Sequence, residues 1–282
     1  MRRRLDFLFR GTSNEEQKLP IRDKFRDRKY FDKQLQRNMR LETITQESIA
    51  EAEINDKERP FLYWSVSHDY MLRLHIMYSL GNEIQKLQDI YIQSFHYFMR
   101  GFDIESPAYA DILQRVSLGV LLDIPEELFR QLIDYVKGMD EQAKSSRWKP
   151  DALLWFLLNS HLKDDEKQIC VETLSFPGLY KGLYKVSKAN DREEAKTDLT
   201  KYLEKWYNLN KNAPWYHTHL RDNGYTGYWA WEVAAVAKIM QIDDSHLKDN
   251  PYYPYEMVHW KDLNIDTPPC FEDTAKENIV GK

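Results

Sequence analysis

Residues 82–101, NEIQKLQDIYIQSFHYFMRG, place Ile84, Leu87, Tyr91, Phe95 and Phe98 at positions i, i+3, i+7, i+11 and i+14. Only a helix brings such positions onto one side, because 3.6 residues per turn returns the chain to the same face every three or four steps. Asn82 is placed to cap the start of this helix and Gly101 to end it. In 28–56, Phe31, Leu35 and Met39 recur every four positions, with Leu41 and Ile44 following, and Asp56 and Pro60 bracket the end. Phe61, Trp64, His68, Met71, Leu72, His75 and Tyr78 then fall on neighbouring turns before Gly81. Ser106-Pro107 opens a fourth helix, and Ile124-Pro125-Glu126-Glu127 a fifth, with proline in the first turn and acids at the positive end of the helix dipole. Further on, DALLWFLLNSHL, DREEAKTDLTKYLEKWYNLN and GYWAWEVAAVAKIMQ read as helices, the second held by Leu199, Tyr202, Leu203 and Trp206.

Glycine and proline are scarce, at 10 and 11 of 282 residues. Sheets need frequent turns and turns need these residues, so the expectation is an all-α chain, an array of roughly nine or ten helices in two closely packed subdomains. The polar stretch MDEQAKSSRWKP sets a soft boundary near residue 140. The expected organisation is a flexible arm at 1–20, an N-terminal helical region at 21–140, a C-terminal helical region at 141–265 and a tail at 266–282.

Charge is unevenly distributed. Residues 1–40 hold 13 Lys and Arg against 6 Asp and Glu, or +7, and the remainder holds 27 against 39, or −12. An acidic body repels nucleic acid and attracts a basic protein, such as an enzyme that itself grips DNA. Cys170 and Cys270 lie far apart with no metal-like spacing, which fits a reducing cytosol rather than a disulfide framework. The opening MRRRLDFLFRG is too short and too charged for a secretory leader, and no apolar run approaches the roughly 18 residues of a membrane span. The expected location is the cytoplasm, with no membrane contact.

No GxSxG, Walker A, GxGxxG or HExxH motif is present, so the common hydrolase, nucleotide and zincin signatures are absent. In WYHTHLRD, His217, His219 and Asp222 could hold a divalent ion with a fourth ligand such as His259, or be ordinary loop residues. His68 and His75 read as histidines at the edge of the core. Glu232, one turn into the alanine-rich helix, fits a general base of raised pKa or an acceptor for the neighbouring aromatic loop. The second is favoured because no partner acid, nucleophile or metal lies nearby in sequence. In DNPYYPYEMVHW, Pro251 and Pro254 preset the backbone, and the tyrosines suit a segment that lies on helices while bonding their ends.

Several of these segments carry a family pattern: APWY at 213–216, GYWAWEVAAVAKI, DDSHLKDNPYYPYEMVHW and, upstream, YLEKWY. RDKFRDRKYFDK at 22–33 and YMLRLHIMYSLGNEIQKLQDIYIQSFHYF at 70–98 form its N-terminal companion. Together they span most of 22–260, and the chain resembles the PoNi family of bacterial immunity proteins, which are paired with polymorphic nuclease toxins. Residues 1–20 and the tail DTPPCFEDTAKENIVGK match no part of that pattern.

The resemblance implies an all-helical, non-enzymatic protein without cofactor or metal. Its partner would be a cognate DNA-degrading toxin of the PD-(D/E)xK type, delivered between competing bacteria by a specialised secretion system and neutralised in the producing cell. The shared motif would then keep the scaffold through Trp215, Tyr228, Trp229, Glu232, Pro251, Tyr252, Tyr253, Pro254, Tyr255 and His259. Toxin-facing residues would lie in acidic clusters: Asp123, Glu126 and Glu127; Asp164, Asp165 and Glu166; Asp243, Asp244 and Asp249. Two other readings stand beside it: a metal-dependent hydrolase built on His217, His219, Asp222 and Glu232, and a helical scaffold for a partner that is not a toxin.

Overall fold

Helices begin where the chain supplies an acceptor or a proline. The Asp151 side chain accepts from the Leu154 N–H at 2.9 Å, and that of Asp191 from the Glu194 N–H at 2.8 Å. The Pro125 carbonyl receives the N–H groups of Leu128 and Phe129, and Pro177 opens its own helix. The acceptors satisfy backbone donors that an isolated helix end leaves bare, and Pro177 has no N–H to satisfy. Gly81 at φ 89° and Gln241 at φ 51° end helices in the left-handed region.

The computed structural model describes residues 20–51, 59–101, 108–142 and 148–263. Among them are ten α-helices and no strand: α1 Arg28–Glu51, α2 Arg59–Ser79, α3 Ile84–Gly101, α4 Tyr109–Leu121, α5 Glu126–Gln142, α6 Ala152–Asn159, α7 Pro177–Val186, α8 Arg192–Leu209, α9 Trp231–Met240 and α10 Tyr255–Leu263. The chain is all-α, as the periodicity and composition predict. The arm at 1–19, Asp56, Ser106-Pro107, Cys270 and the tail lie outside the described residues. No helix among the described residues is long and apolar enough to cross a membrane.

α2 packs between α1 and α3, α4 packs on α6 and α9, and α7 pairs with α8. α9 is the hub, touching α4, α6, α7, α8 and α10. Ala234, Ala235 and Ala237 are buried there, and such small side chains let several helices approach one axis closely. Buried residues form one cluster running from Phe31 to Trp260. Between α2, α3 and α4 lies a buried arginine, Arg115, which donates to Ser94 Oγ at 3.0 Å and Ser67 Oγ at 2.8 Å. Its guanidinium also sits over the Phe98 ring, so its polar edge and its flat face are both used.

The sequence pattern misplaces the buried face of α1. Phe31 is buried, but the rest of the buried stripe is Gln34, Asn38 and Glu42, while Leu41 and Ile44 stay 48% and 49% exposed. The reason lies in what α1 meets. Asn38 donates to the Asp69 carbonyl at 3.0 Å, Glu42 pairs with Arg73 at 3.1 Å, and the Gln34 side chain accepts from the Gly224 N–H at 3.3 Å. A polar neighbour selects a polar face. Phe61 and Trp64, the first two of the residues spaced on neighbouring turns of α2, are also exposed.

Candidate partner-binding surface

The family-motif residues form a clasp between the two ends of the fold. Tyr207 and Tyr252 stack 5.2 Å apart, Trp206 and Trp215 stack at 5.4 Å, and Phe25 from the N-terminal segment lies on Tyr252 at 5.8 Å. Tyr228 closes the group, 5.5 Å from both Trp215 and Phe25. Offset and edge-on rings at these spacings add to the area they bury. The polar rims of these rings are also used. Trp229 Nε1 donates to Ser79 Oγ at 2.9 Å, Trp231 Nε1 to His75 Nε2 at 3.1 Å, and Trp260 Nε1 to the Leu121 carbonyl at 3.0 Å. Burial pushes the His75 imidazole down to about 3, so it is a neutral acceptor at physiological pH.

The segment Asn250 to Trp260 belongs to this clasp. The Tyr252 carbonyl accepts from the Ala230 N–H at 2.9 Å. Pro254 is buried, and its carbonyl accepts from the Met257 N–H at the start of α10. Pro251 is half-buried beside them. Tyr255 and His259 pack with ring centres 4.4 Å apart.

Opposite this segment lie Arg22 and Asp23, which open the RDKFRDRKYFDK family segment but which the sequence alone does not single out as contact residues. Arg22 donates to the carbonyls of Tyr78 and Asn82 at 3.0 and 2.8 Å and pairs with Glu256 at 2.6 Å. Asp23 accepts from the Tyr225 hydroxyl and from the N–H groups of Phe25 and Arg26, both at 2.8 Å. Burial raises the Asp23 carboxyl pKa despite these bonds. The cue was the Arg-Asp-x-Phe order itself, a short turn that returns its aromatic toward the C-terminal rings.

Glu232 accepts from Trp206 Nε1 at 2.6 Å. Its carboxyl pKa is raised by burial, a change the indole bond partly offsets. This geometry is that of an acceptor for the aromatic cluster. The His217 and His219 rings meet edge-on, 6.1 Å apart. His219 lies within bonding distance of the Tyr228 hydroxyl, at 2.9 Å from Nδ1, and His217 stacks on Tyr216. His259 Nε2 is 2.7 Å from Asp244. Among the described residues, no group of three or more His, Cys, Asp or Glu side chains is placed to hold a metal ion.

The acidic clusters separate in space and in character. Glu126 and Glu127 are exposed at the start of α5, and Asp164 and Asp165 are exposed in the turn after α6. The two clusters meet through Arg130, whose guanidinium donates to both Glu166 oxygens at 2.9 and 3.0 Å. That pairing pulls the Glu166 carboxyl down to about 2. Between them lies a shallow cleft of about 410 Å³ lined by Asp123, Glu126, Arg130 and His161. Asp123 is already neutralised, lying 3.0 Å from both Lys238 and Lys261.

The third cluster does not hold together as a surface. Asp243 is exposed and pairs with Lys196 at 2.6 Å, and Asp249 is exposed. Asp244, expected on the surface, is 2% exposed. Its carboxylate accepts from the Tyr253 hydroxyl at 2.6 Å and holds His259 at 2.7 Å. A carboxylate that bonds two groups of the same clasp belongs inside it, because these bonds replace the water that burial takes from it.

The fold and surface thus define an all-helical protein whose first and last motifs are locked together and which presents an acidic face at the start of α5. The family model described as PoNe immunity protein (PoNi), N-terminal, matches residues 14–134, and that for PoNe immunity proteins (PoNi), C-terminal, matches 149–257. The chain belongs to the PoNi family of immunity proteins. No curated protein matches it. The crystal structure of protein PA2201 from Pseudomonas aeruginosa shares the fold at a TM-score of 0.64 and 18% identity, over 88% of this chain and 93% of that one.

Proposed function

We propose that this chain binds a cognate antibacterial DNase toxin in the cytoplasm of the producing cell and neutralises it stoichiometrically, without catalysis of its own. The observation that carries the reading is the match of both halves of the chain to PoNe immunity protein families. The acidic face supports it physically. A nuclease that grips DNA presents cations to phosphates, and Glu126, Glu127 and Asp165, together with Asp164, which pairs with Lys167 at 2.7 Å, offer exposed carboxylates to the same cations. Such charges chiefly set the association rate and the choice of partner.

The test is plasmid cleavage by the product of the neighbouring gene, titrated with this protein. Cleavage should vanish at about one equivalent, with a stable complex on sizing. Reversing Glu126, Glu127, Asp164 and Asp165 to lysine should slow association by about tenfold at low salt and flatten its salt dependence. Undiminished cleavage with no complex would refute the reading. Unchanged association kinetics in the charge-reversed variant would remove this face from the interface.

A further inference from the structure

α7 carries glycines at 178 and 182, one turn apart, and where it faces α8 the surface opens into a groove of about 520 Å³. A Cβ at Gly178 would meet nothing within 4 Å, whereas one at Gly182 would come 2.9 Å from the Tyr202 ring. Gly182 lets the buried Tyr202 ring pack directly beneath α7, and half-buried Leu179 and Leu209 complete an apolar floor over the edge of that ring.

The rims of the groove repeat. Lys181 and Lys185 stand four residues apart on α7, and Lys201 and Lys205 four apart on α8. The one carboxylate in the lining, Asp198, pairs with Lys185 at 2.7 Å. Lys181, Lys201 and Lys205 are exposed and form no ion pair among the described residues. Two rows of ammonium groups at helical spacing, facing each other across an apolar strip, repel one another until something anionic with an apolar edge lies between them.

We propose that this groove docks an acidic amphipathic helix of the toxin polypeptide, its apolar stripe on Tyr202, Leu179 and Leu209 and its carboxylates between the lysine rows. The identity of the partner rests on the toxin-binding reading above. The spacing of the groove does not. A helix repeats its side chains at the same four-residue interval as the rims, so carboxylates on its two flanks meet both rows in register. Nucleic acid fits less well, because the floor is apolar and the chain carries a net charge of −5. With carboxylates at the start of α5 and ammonium groups along α7 and α8, the surface offers a partner both signs of charge, which selects one docking orientation.

The experiment uses the full chain and three probes: a fluorescent 18-residue designed helix with a leucine stripe between two rows of glutamate, the same peptide with glutamine for glutamate, and a short DNA duplex. The variants are Lys181→Glu with Lys201→Glu, which reverses one charge on each rim, and Gly178→Leu, which fills the groove at a position with free space. Circular dichroism checks that both stay folded. The acidic peptide should bind saturably, at least tenfold more weakly to either variant and more weakly in high salt, and the preformed complex with the toxin should no longer take it up. Absence of saturable binding, equal binding of the glutamine peptide, preferential binding of the duplex, or indifference to both variants would overturn the groove assignment. A toxin complex that still takes up the peptide would overturn the toxin as the source of the helix. If wild-type protein and toxin form no complex at all, the proposed function fails, while the peptide measurements still decide what the groove accepts.

Discussion

Replacing Asp244 by alanine removes a carboxylate that is 2% exposed and bonds Tyr253 at 2.6 Å and His259 at 2.7 Å. The Tyr253 ring is also buried, so its hydroxyl would lose its acceptor with no route to water. A hydrogen bond to a carboxylate contributes about 1.5–3 kcal/mol, and an orphaned buried donor costs about 1–3 kcal/mol. These are alternative descriptions of much of the same loss, so D244A should lower unfolding free energy by about 3 kcal/mol. D244N keeps one oxygen for the Tyr253 hydroxyl and should cost about half as much, and Y253F, which removes the donor instead, about 1 kcal/mol. The D244A/Y253F double variant should be milder than the sum by about 1 kcal/mol, because the orphaned hydroxyl is gone. Urea unfolding followed by tryptophan fluorescence measures all four, and an unchanged slope against denaturant would show that stability itself has moved. The reasoning is refuted if D244A unfolds within about 0.5 kcal/mol of the parent, the range of surface substitutions. It is refuted as well if D244A is stable but binds the toxin as slowly as the lysine variants of the α5 face, which would make Asp244 a contact residue.

Gly227 adopts φ 114°, and a Cβ there would lie 2.2 Å from Trp229 Nε1 and 2.3 Å from Ser79 Oγ. G227A should therefore cost at least about 3 kcal/mol in the same unfolding assay, since strain and the displaced indole bond act together. Burial, and secondarily Glu42, raises the Asp69 carboxyl from 3.8 to about 6. A raised acid favours the folded state while protonated, so this contribution is intact below about pH 4 and is lost as pH rises through 6. D69N should flatten that part of the pH–stability curve and raise stability at pH 7 by about 1 kcal/mol, the figure being reduced because the group is only partly buried. The Arg130–Glu166 bridge is bidentate but each side chain is 35% exposed, so E166Q should shift the unfolding midpoint only slightly, and that shift should shrink in high salt.

Where one helix face was both apolar and buried, the sequence was a sound guide. The Ile84, Leu87, Tyr91, Phe95 and Phe98 stripe of α3 is buried as its spacing requires, and so is the Leu199, Tyr202, Leu203 and Trp206 set of α8. α1 misled because its buried stripe is polar and makes sense only beside the Asp69 carbonyl and Arg73, residues of another helix. α7 escaped a pattern reading because it is only ten residues long and Gly178 and Gly182 depress its helix propensity, although Tyr180, Leu183 and Val186 keep helical spacing. Among candidate site residues, the aromatic motif announces a packed unit by its composition alone. Whether an acid faces solvent is not written in its neighbours along the chain: Asp243 and Asp244 are adjacent, yet one is exposed and the other buried.

The contact between Arg22 and Glu256 spans 234 positions. Arg22 can reach the Tyr78 and Asn82 carbonyls early, but a ribosome must deliver 234 further residues before Glu256 joins them, and Phe25 likewise waits for Tyr252 and Gln34 for Gly224. Under the proposed function, protection is thus set by chains that have closed this clasp rather than by nascent ones. A frameshift or stop as late as residue 250 should remove it as fully as an early one.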